Sequence, residues 1–75
     1  MSRPMRPGEA RIGQRVITLR AFADWPDVPV GTVATIKAIL SQNPGAETDA
    51  ITIRPHVKGY LSIACESSDV ELMHR

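Results

Sequence analysis

Short apolar runs that alternate with polar residues predict a chain built from strands. The clearest run covers residues 50–54, which follow a Pro44–Gly45 turn, and there Ile51 and Ile53 alternate with polar side chains. Residues 60–65 repeat the pattern after a hairpin turn, with three side chains on one face: Leu61, Ile63 and Cys65. Each of these two predicted strands therefore has one face turned to a core.

The longest predicted strand covers residues 32–40 and follows a glycine corner at Gly31. Its dense β-branched residues and the absence of a helix cap favour a strand, and Ala34 and Ala38 are small enough to let it bend across a small barrel. Gly31 is expected at a position where a Cβ would clash. A helix is the competing interpretation, because four apolar residues also fall at helical spacing: Val33, Ile36, Ile39 and Leu40.

The first and last strands are shorter and carry weaker patterns. Residues 15–19 are rich in β-branched side chains, but the buried face stays open between two pairs: Val16 with Thr18, or Ile17 with Leu19. A short turn at residues 66–69 leads to a last strand at residues 70–73, in which Val70 and Leu72 are expected to face inward. The prediction is a total of five strands.

Two segments outside the strands complete the predicted organisation. Residues 1–10 lack an apolar period and read as a flexible or extended N-terminal arm, while residues 11–75 form one domain. Residues 20–30 form a long loop, because Pro26 and Pro29 exclude a helix or a central strand there.

The order of these elements resembles an SH3-like barrel across residues 13–73. Residues 30–36, followed by residues 51–54, are similar to the SH3-like accessory subunit of photosystem I that helps dock ferredoxin, and to the variable chain of ferredoxin–thioredoxin reductase. These resemblances imply an all-β, five-stranded barrel without a cofactor that supports a larger assembly. The chain is also similar to the KOW-type barrels of ribosomal and transcription proteins through four residues: Gly13, Val16, Gly31 and Val33.

The composition of the chain indicates the number of domains, the absence of an internal disulfide and the expected location of the protein. The chain has 75 residues and one cysteine, so it makes one domain without an internal disulfide. We expect a soluble, cytoplasmic protein, because no run resembles a signal peptide or a membrane span. The net charge of +1 excludes general attraction of polyanions, although the first twenty residues are basic.

No residue pattern in the sequence points to catalysis or to a metal site. His56 and His74 are the only histidines, and no spacing brings three or four metal ligands together. Cys65 falls in the register of a buried strand face and reads as a core thiol. Asp24 and Asp27 read as acids of a solvated loop. We therefore expect a non-enzymatic protein without cofactor or metal.

Binding of a protein partner is the first functional hypothesis. Trp25 either plugs one end of the barrel or forms an exposed anchor, and the sequence leaves both readings open. The anchor reading makes the protein an accessory or regulatory subunit, with the basic N-terminal segment orienting the partner. Its expected contacts are Phe22, Trp25, Pro26, Val28 and Pro29.

Binding of RNA or DNA through the phosphate backbone is the alternative hypothesis. Basic side chains on or beside the strands would supply the contacts, and affinity would fall steeply with salt. The expected contacts are Arg11, Arg15, Lys37, Arg54 and Lys58. The sequence does not identify a partner or an oligomeric state.

Overall fold

The computed structural model describes residues 3–42 and 45–73 and contains five antiparallel strands in one sheet. The elements are β1 (Arg15–Thr18), β2 (Val33–Ser41), β3 (Ala50–Pro55), β4 (Ile63–Glu66), a 3₁₀ turn (Ser67–Asp69) and β5 (Val70–Leu72). Their order across the sheet is β4-β3-β2-β1-β5. The all-β prediction is confirmed. Residues 32–40, for which a helix was the competing interpretation, lie almost entirely in strand β2.

The sheet is not closed into the predicted barrel. β4 and β5 form its two edges, and no ladder joins them within the described residues. The 3₁₀ turn connects these two edge strands along the chain without pairing them. The N-terminal segment approaches β5 instead, where the Met5 N–H donates to the Val70 carbonyl at 2.9 Å.

The N-terminal segment, residues 3–10, packs against the sheet, which differs from the predicted flexible or extended arm. Met5 and Ala10 are buried among the core residues, and the Gly8 N–H donates to the Asp49 carboxylate at 2.7 Å. A single methionine in a polar segment has no periodicity, so the sequence pattern does not reveal that its side chain is buried.

The core lies against one face of the sheet, and β3 and β4 contribute to it by alternation. Ile51 and Ile53 are fully buried, which confirms the β3 prediction. The prediction for the next strand is confirmed for Ile63 and Cys65 and wrong for Leu61, whose side chain is 83% exposed. The reason is that β4 begins only at Ile63, so Leu61 belongs to the preceding turn and does not follow the strand alternation.

β1 buries Val16 and Thr18, which settles the face that the sequence left open. The Thr18 hydroxyl donates to the Pro29 carbonyl at 2.8 Å and accepts the Thr32 N–H at 3.0 Å. A buried hydroxyl with both bonds made avoids the penalty of an unpaired polar group. The same two bonds tie the end of the long loop to β1.

Gly31 stands at the corner that leads into β2 and has a φ of +90°. A Cβ built at this position meets nothing within 4 Å, so the expected clash is wrong and the left-handed backbone is the reason for glycine. Gly45 of the predicted Pro–Gly turn also has positive φ, at +86°, while Pro44 lies outside the described residues.

The ladder between β2 and β3 is irregular at two places. The register shifts between Ile36 and Ala38 and again between Ile39 and Ser41. At the first shift Lys37 is an extra residue on β2, as in a β-bulge, and its side chain is exposed.

The 3₁₀ turn after β4 forms where the sequence predicts a short turn, and it leads to β5 with Val70 buried and Leu72 half-buried. Asp69 organises this turn. Its carboxylate accepts hydrogen bonds from Arg20 Nε at 2.6 Å, from Arg20 Nη2 at 3.1 Å and from the Glu66 N–H at 3.0 Å. Burial disfavours the charged carboxylate, but the bonds from Arg20 and Glu66 outweigh it and lower the pKa of Asp69 below its ordinary value.

Asp69→Asn is expected to cost about 1 kcal/mol at neutral pH, because Arg20 is partly exposed and its bond is screened by solvent. Because the pKa of Asp69 is lower in the folded state, its ionised carboxylate stabilises the fold at pH values above the unfolded-state pKa of about 4. This stabilisation is lost as the pH falls through the folded-state pKa. Urea unfolding between about pH 5 and pH 2 should therefore show a shallower loss of stability for Asp69→Asn than for wild type. Asp24→Asn, at an exposed position, is the control and should follow wild type. Equal pH slopes for Asp69→Asn and wild type would contradict this assignment.

Candidate functional site

An open groove of about 640 Å³ is formed by β2, the end of β3 and the turn that follows β3. Its lining residues are Thr35, Lys37, Arg54, Pro55, His56, Val57, Lys58, Gly59, Tyr60 and Leu61. The groove therefore lies on the polar side of the same strands whose isoleucines fill the core.

Strand pairing and the turn after β3 together bring these side chains into one groove. Thr35 and Arg54 are direct partners in the β2–β3 ladder, and the irregularity at Lys37 adds a second β2 side chain to the lining. All eight residues from Arg54 to Leu61 line the groove, because β3 ends at Pro55 and the chain then turns over residues 56–59. The segment after β3 therefore supplies six of the ten lining residues, including Lys58 and Tyr60.

Three of the lining side chains are cationic, and no acid lines the groove. Lys37, Arg54 and Lys58 are all exposed. Within residues 3–42 and 45–73 the salt bridges are those of Arg3 and Arg20, so none neutralises the groove. The three charges concentrate positive potential in one concave surface, although the whole chain carries a net charge of only +1.

Uncharged groups add further contacts to the groove. The His56 Nε2 lies 2.8 Å from the Thr35 hydroxyl, which orients the imidazole across the two strands. Tyr60 is half-buried and packs against the core, and Leu61 is largely exposed. The groove thus combines positive charge with one aromatic and one aliphatic surface.

Comparison of the chain with protein-family models, curated proteins and solved structures gives no match. The candidate site therefore rests on geometry and chemistry alone. The described part of the chain holds no helix long and apolar enough to cross a membrane.

The two remaining expected nucleic-acid contacts lie outside the groove lining. Arg15 is the ladder partner of Thr35, so it stands in one cross-strand row with Arg54, two strand spacings or roughly 10 Å away. The Arg11 guanidinium donates to the Gly8 and Ala10 carbonyls at 2.7 and 2.9 Å. Arg15 can extend the groove, whereas Arg11 bonds within its own segment.

The sequence did not mark His56, Tyr60 and Leu61 as site residues. The available signal was their closeness along the chain to Arg54 and Lys58, because all of them fall within residues 54–61. Their convergence on the groove depends on the turn that follows Pro55, the last residue of β3, and alternation along a strand does not describe that turn.

The long loop places its five expected partner contacts in different environments. Phe22 is 4% exposed and Val28 is buried, so both belong to the core. Trp25 is half-buried and packs edge-to-face on Phe22, with ring centroids 6.4 Å apart at 75°. Pro26 and Pro29 are exposed.

Cys65 is a buried free thiol, as the strand register predicts. Burial raises its pKa to about 12, and the negative charge of Asp69 adds to the rise. A thiol with this pKa stays protonated and unreactive near neutral pH. Within the described residues no group of three or more His, Cys, Asp or Glu side chains is placed to hold a metal, and His74 lies outside them.

Proposed function

We propose that this protein is a non-catalytic binding module whose basic groove holds the phosphate backbone of a nucleic acid. The observation that carries the proposal is the convergence of Lys37, Arg54 and Lys58 on a groove without an acidic side chain. Cations scattered over the surface would attract anions only weakly. Three cations in one groove instead concentrate positive potential there and raise the affinity of the groove for an anion.

Phosphate chemistry suits these groups. The planar Arg54 guanidinium can donate two parallel hydrogen bonds to one phosphate, and the lysines act as flexible point charges on either side. Neutralised phosphates release condensed counterions, which drives association at low salt. Arg15, in the neighbouring row, would engage a further phosphate of a longer ligand.

An SH3-like architecture is part of the same proposal. It is supported by five antiparallel strands, the long loop after β1, the glycine corner at Gly31 and the 3₁₀ turn before a short last strand. A KOW-type relationship would agree with nucleic-acid binding, and the fold alone does not select a ligand.

Salt dependence tests this function directly. Three phosphate contacts predict that the affinity for a labelled single strand falls roughly 20-fold between about 50 mM and 200 mM salt, measured by fluorescence anisotropy. The same titration with a polyglutamate peptide is the control for general anion attraction. An absence of binding at low salt, or an affinity that does not change with salt, would rule the proposal out.

A protein partner bound by the long loop is the second candidate. Pro26, Pro29 and the 61%-exposed Val30 present apolar surface beside the half-buried Trp25 ring, and this observation favours it. Val30→Asp should then abolish capture of a partner that survives nuclease treatment, without unfolding the domain. Capture that is unchanged by Val30→Asp would argue against the loop.

A further inference from the structure

We propose that the groove selects single-stranded nucleic acid and stacks one unpaired base on the ring of Tyr60. This inference rests on the proposed phosphate-binding function and adds the class of nucleic acid that the groove accepts. It is carried by the position of Tyr60 in the same groove as Lys37, Arg54 and Lys58.

The Tyr60 ring is held in place before any ligand arrives. It packs against the core cluster and is partly buried while lining the groove, and the Tyr60 N–H donates to the Val57 carbonyl at 3.4 Å across the turn. A ring fixed by packing loses little conformational freedom when a base stacks on it. The adjoining Leu61 side chain is 83% exposed and offers apolar contact to the edge of the same base.

Phosphate groups and a base can be bound together because the cations and the ring line the same groove. Lys58 and Tyr60 are two residues apart, and Arg54 lies on the adjoining end of β3. The groove volume of about 640 Å³ lies within the range of about 300–1,000 Å³ that holds drug-sized ligands, which includes a nucleotide.

Duplex nucleic acid cannot use this arrangement fully. Its bases are stacked on each other, so their faces are closed to a protein ring, and only its phosphates would reach the cations. An unpaired base exposes its face, and aromatic rings beside a positive groove are the usual way in which proteins hold single strands. The ring therefore adds affinity for single strands alone.

Binding of three labelled ligands to the full chain tests the inference: a mixed-sequence DNA strand of about 12 nucleotides, its RNA counterpart and the matching DNA duplex. Tyr60→Leu should weaken single-strand binding about tenfold, leave the salt slope unchanged and alter duplex binding less than twofold. Tyr60→Phe keeps the ring and should bind single strands as wild type does. Thermal unfolding of both variants establishes that each is folded at the assay temperature.

The outcomes separate this inference from the function on which it rests. Salt-dependent binding that is equal for wild type and Tyr60→Leu, or equal for strand and duplex, overturns the stacking while leaving phosphate binding in place. Equal binding of polyglutamate identifies an acidic protein as the ligand and overturns both proposals. No binding of any ligand at low salt also overturns both. A preference for DNA over RNA, or the reverse, with the Tyr60→Leu loss intact supports the inference and identifies the natural strand.

Discussion

Replacing Lys37, Arg54 and Lys58 together by Gln is expected to weaken single-strand binding about 100-fold at low salt. Each cation neutralises one phosphate, and losses of about 1 kcal/mol per contact add to about 3 kcal/mol, which corresponds to a factor of roughly 100 in affinity. The slope of log affinity against log salt should also fall in magnitude by about 2, since each single-strand phosphate contact contributes roughly 0.7. Fluorescence anisotropy across a salt series measures both quantities. All three side chains are exposed, so the triple variant should fold.

A second triple variant makes this test specific to the groove. Arg3 and Arg6 of the N-terminal segment and Arg11 directly after it carry the same total charge, and all three are exposed. Their joint replacement by Gln should weaken binding less than about fivefold, because a diffuse charge acts only at long range and is screened by salt. Equal losses for the two triple variants would mean that net charge governs binding and that the groove has no special role.

Phe22→Ala is expected to be the most destabilising single change in the long loop, at about 3 kcal/mol. The Phe22 ring is buried, and the Trp25 ring packs against it edge-to-face. The Arg20 guanidinium also lies over the Phe22 ring, 4.6 Å from the ring centroid. Truncation would leave a cavity under Trp25 and remove the surface on which Arg20 rests. Urea denaturation measures the loss, and a 75-residue domain stable by about 4–11 kcal/mol should lose a large share of its stability.

Val30→Ala is the matched control for that prediction, because Val30 ends the same loop and is mostly exposed. It should change the free energy of unfolding by less than about 0.5 kcal/mol. If Phe22→Ala were as mild as Val30→Ala, the long loop would not be part of the core, and its rings would be free to anchor a partner.

The sequence predicted the parts of the fold that depend on local alternation. Ile51 and Ile53 face the core because a strand places every second side chain on one face, and this pattern is complete within five residues. Cys65 follows the same rule. Gly31 was recognised as a corner, although the reason is its positive φ and not a close neighbour.

Features that depend on distant contacts were not predictable from the pattern. Thr18 is buried because Pro29 and Thr32, more than ten residues away, complete its hydrogen bonds. Met5 joins the core cluster where its segment runs beside β5, and its N–H donates to the Val70 carbonyl there. Leu61 was assigned to the core because the start of β4 was placed too early.

The candidate site was predictable in its residues but not in its assembly. Lys37, Arg54 and Lys58 are evident as cations near strands, yet their convergence depends on the register shift at Lys37 and on the turn after β3. Tyr60 joins them through the same turn. A list of basic residues gives no reason to prefer these three over Arg11, whose guanidinium bonds within its own segment.

β3 contributes residues both to the core and to the groove. β3 turns Ile51 and Ile53 into the core and Arg54 toward the groove, so core packing holds the cation in position. Side chains on strands are positioned more rigidly than side chains on loops. Lys37 on β2 and Arg54 on β3 are therefore the firmly positioned cations of the groove, and Lys58 lies on the turn after β3.

The most direct test of the groove is an amide chemical-shift titration of the labelled protein with a single strand of about 12 nucleotides at low salt. We predict that the largest shifts occur at the amides of Lys37, Arg54, Lys58 and Tyr60, and that residues 22–30 change little. Shifts concentrated in residues 22–30, or a spectrum that does not change when the strand is added, would contradict the assignment of the groove as the binding site.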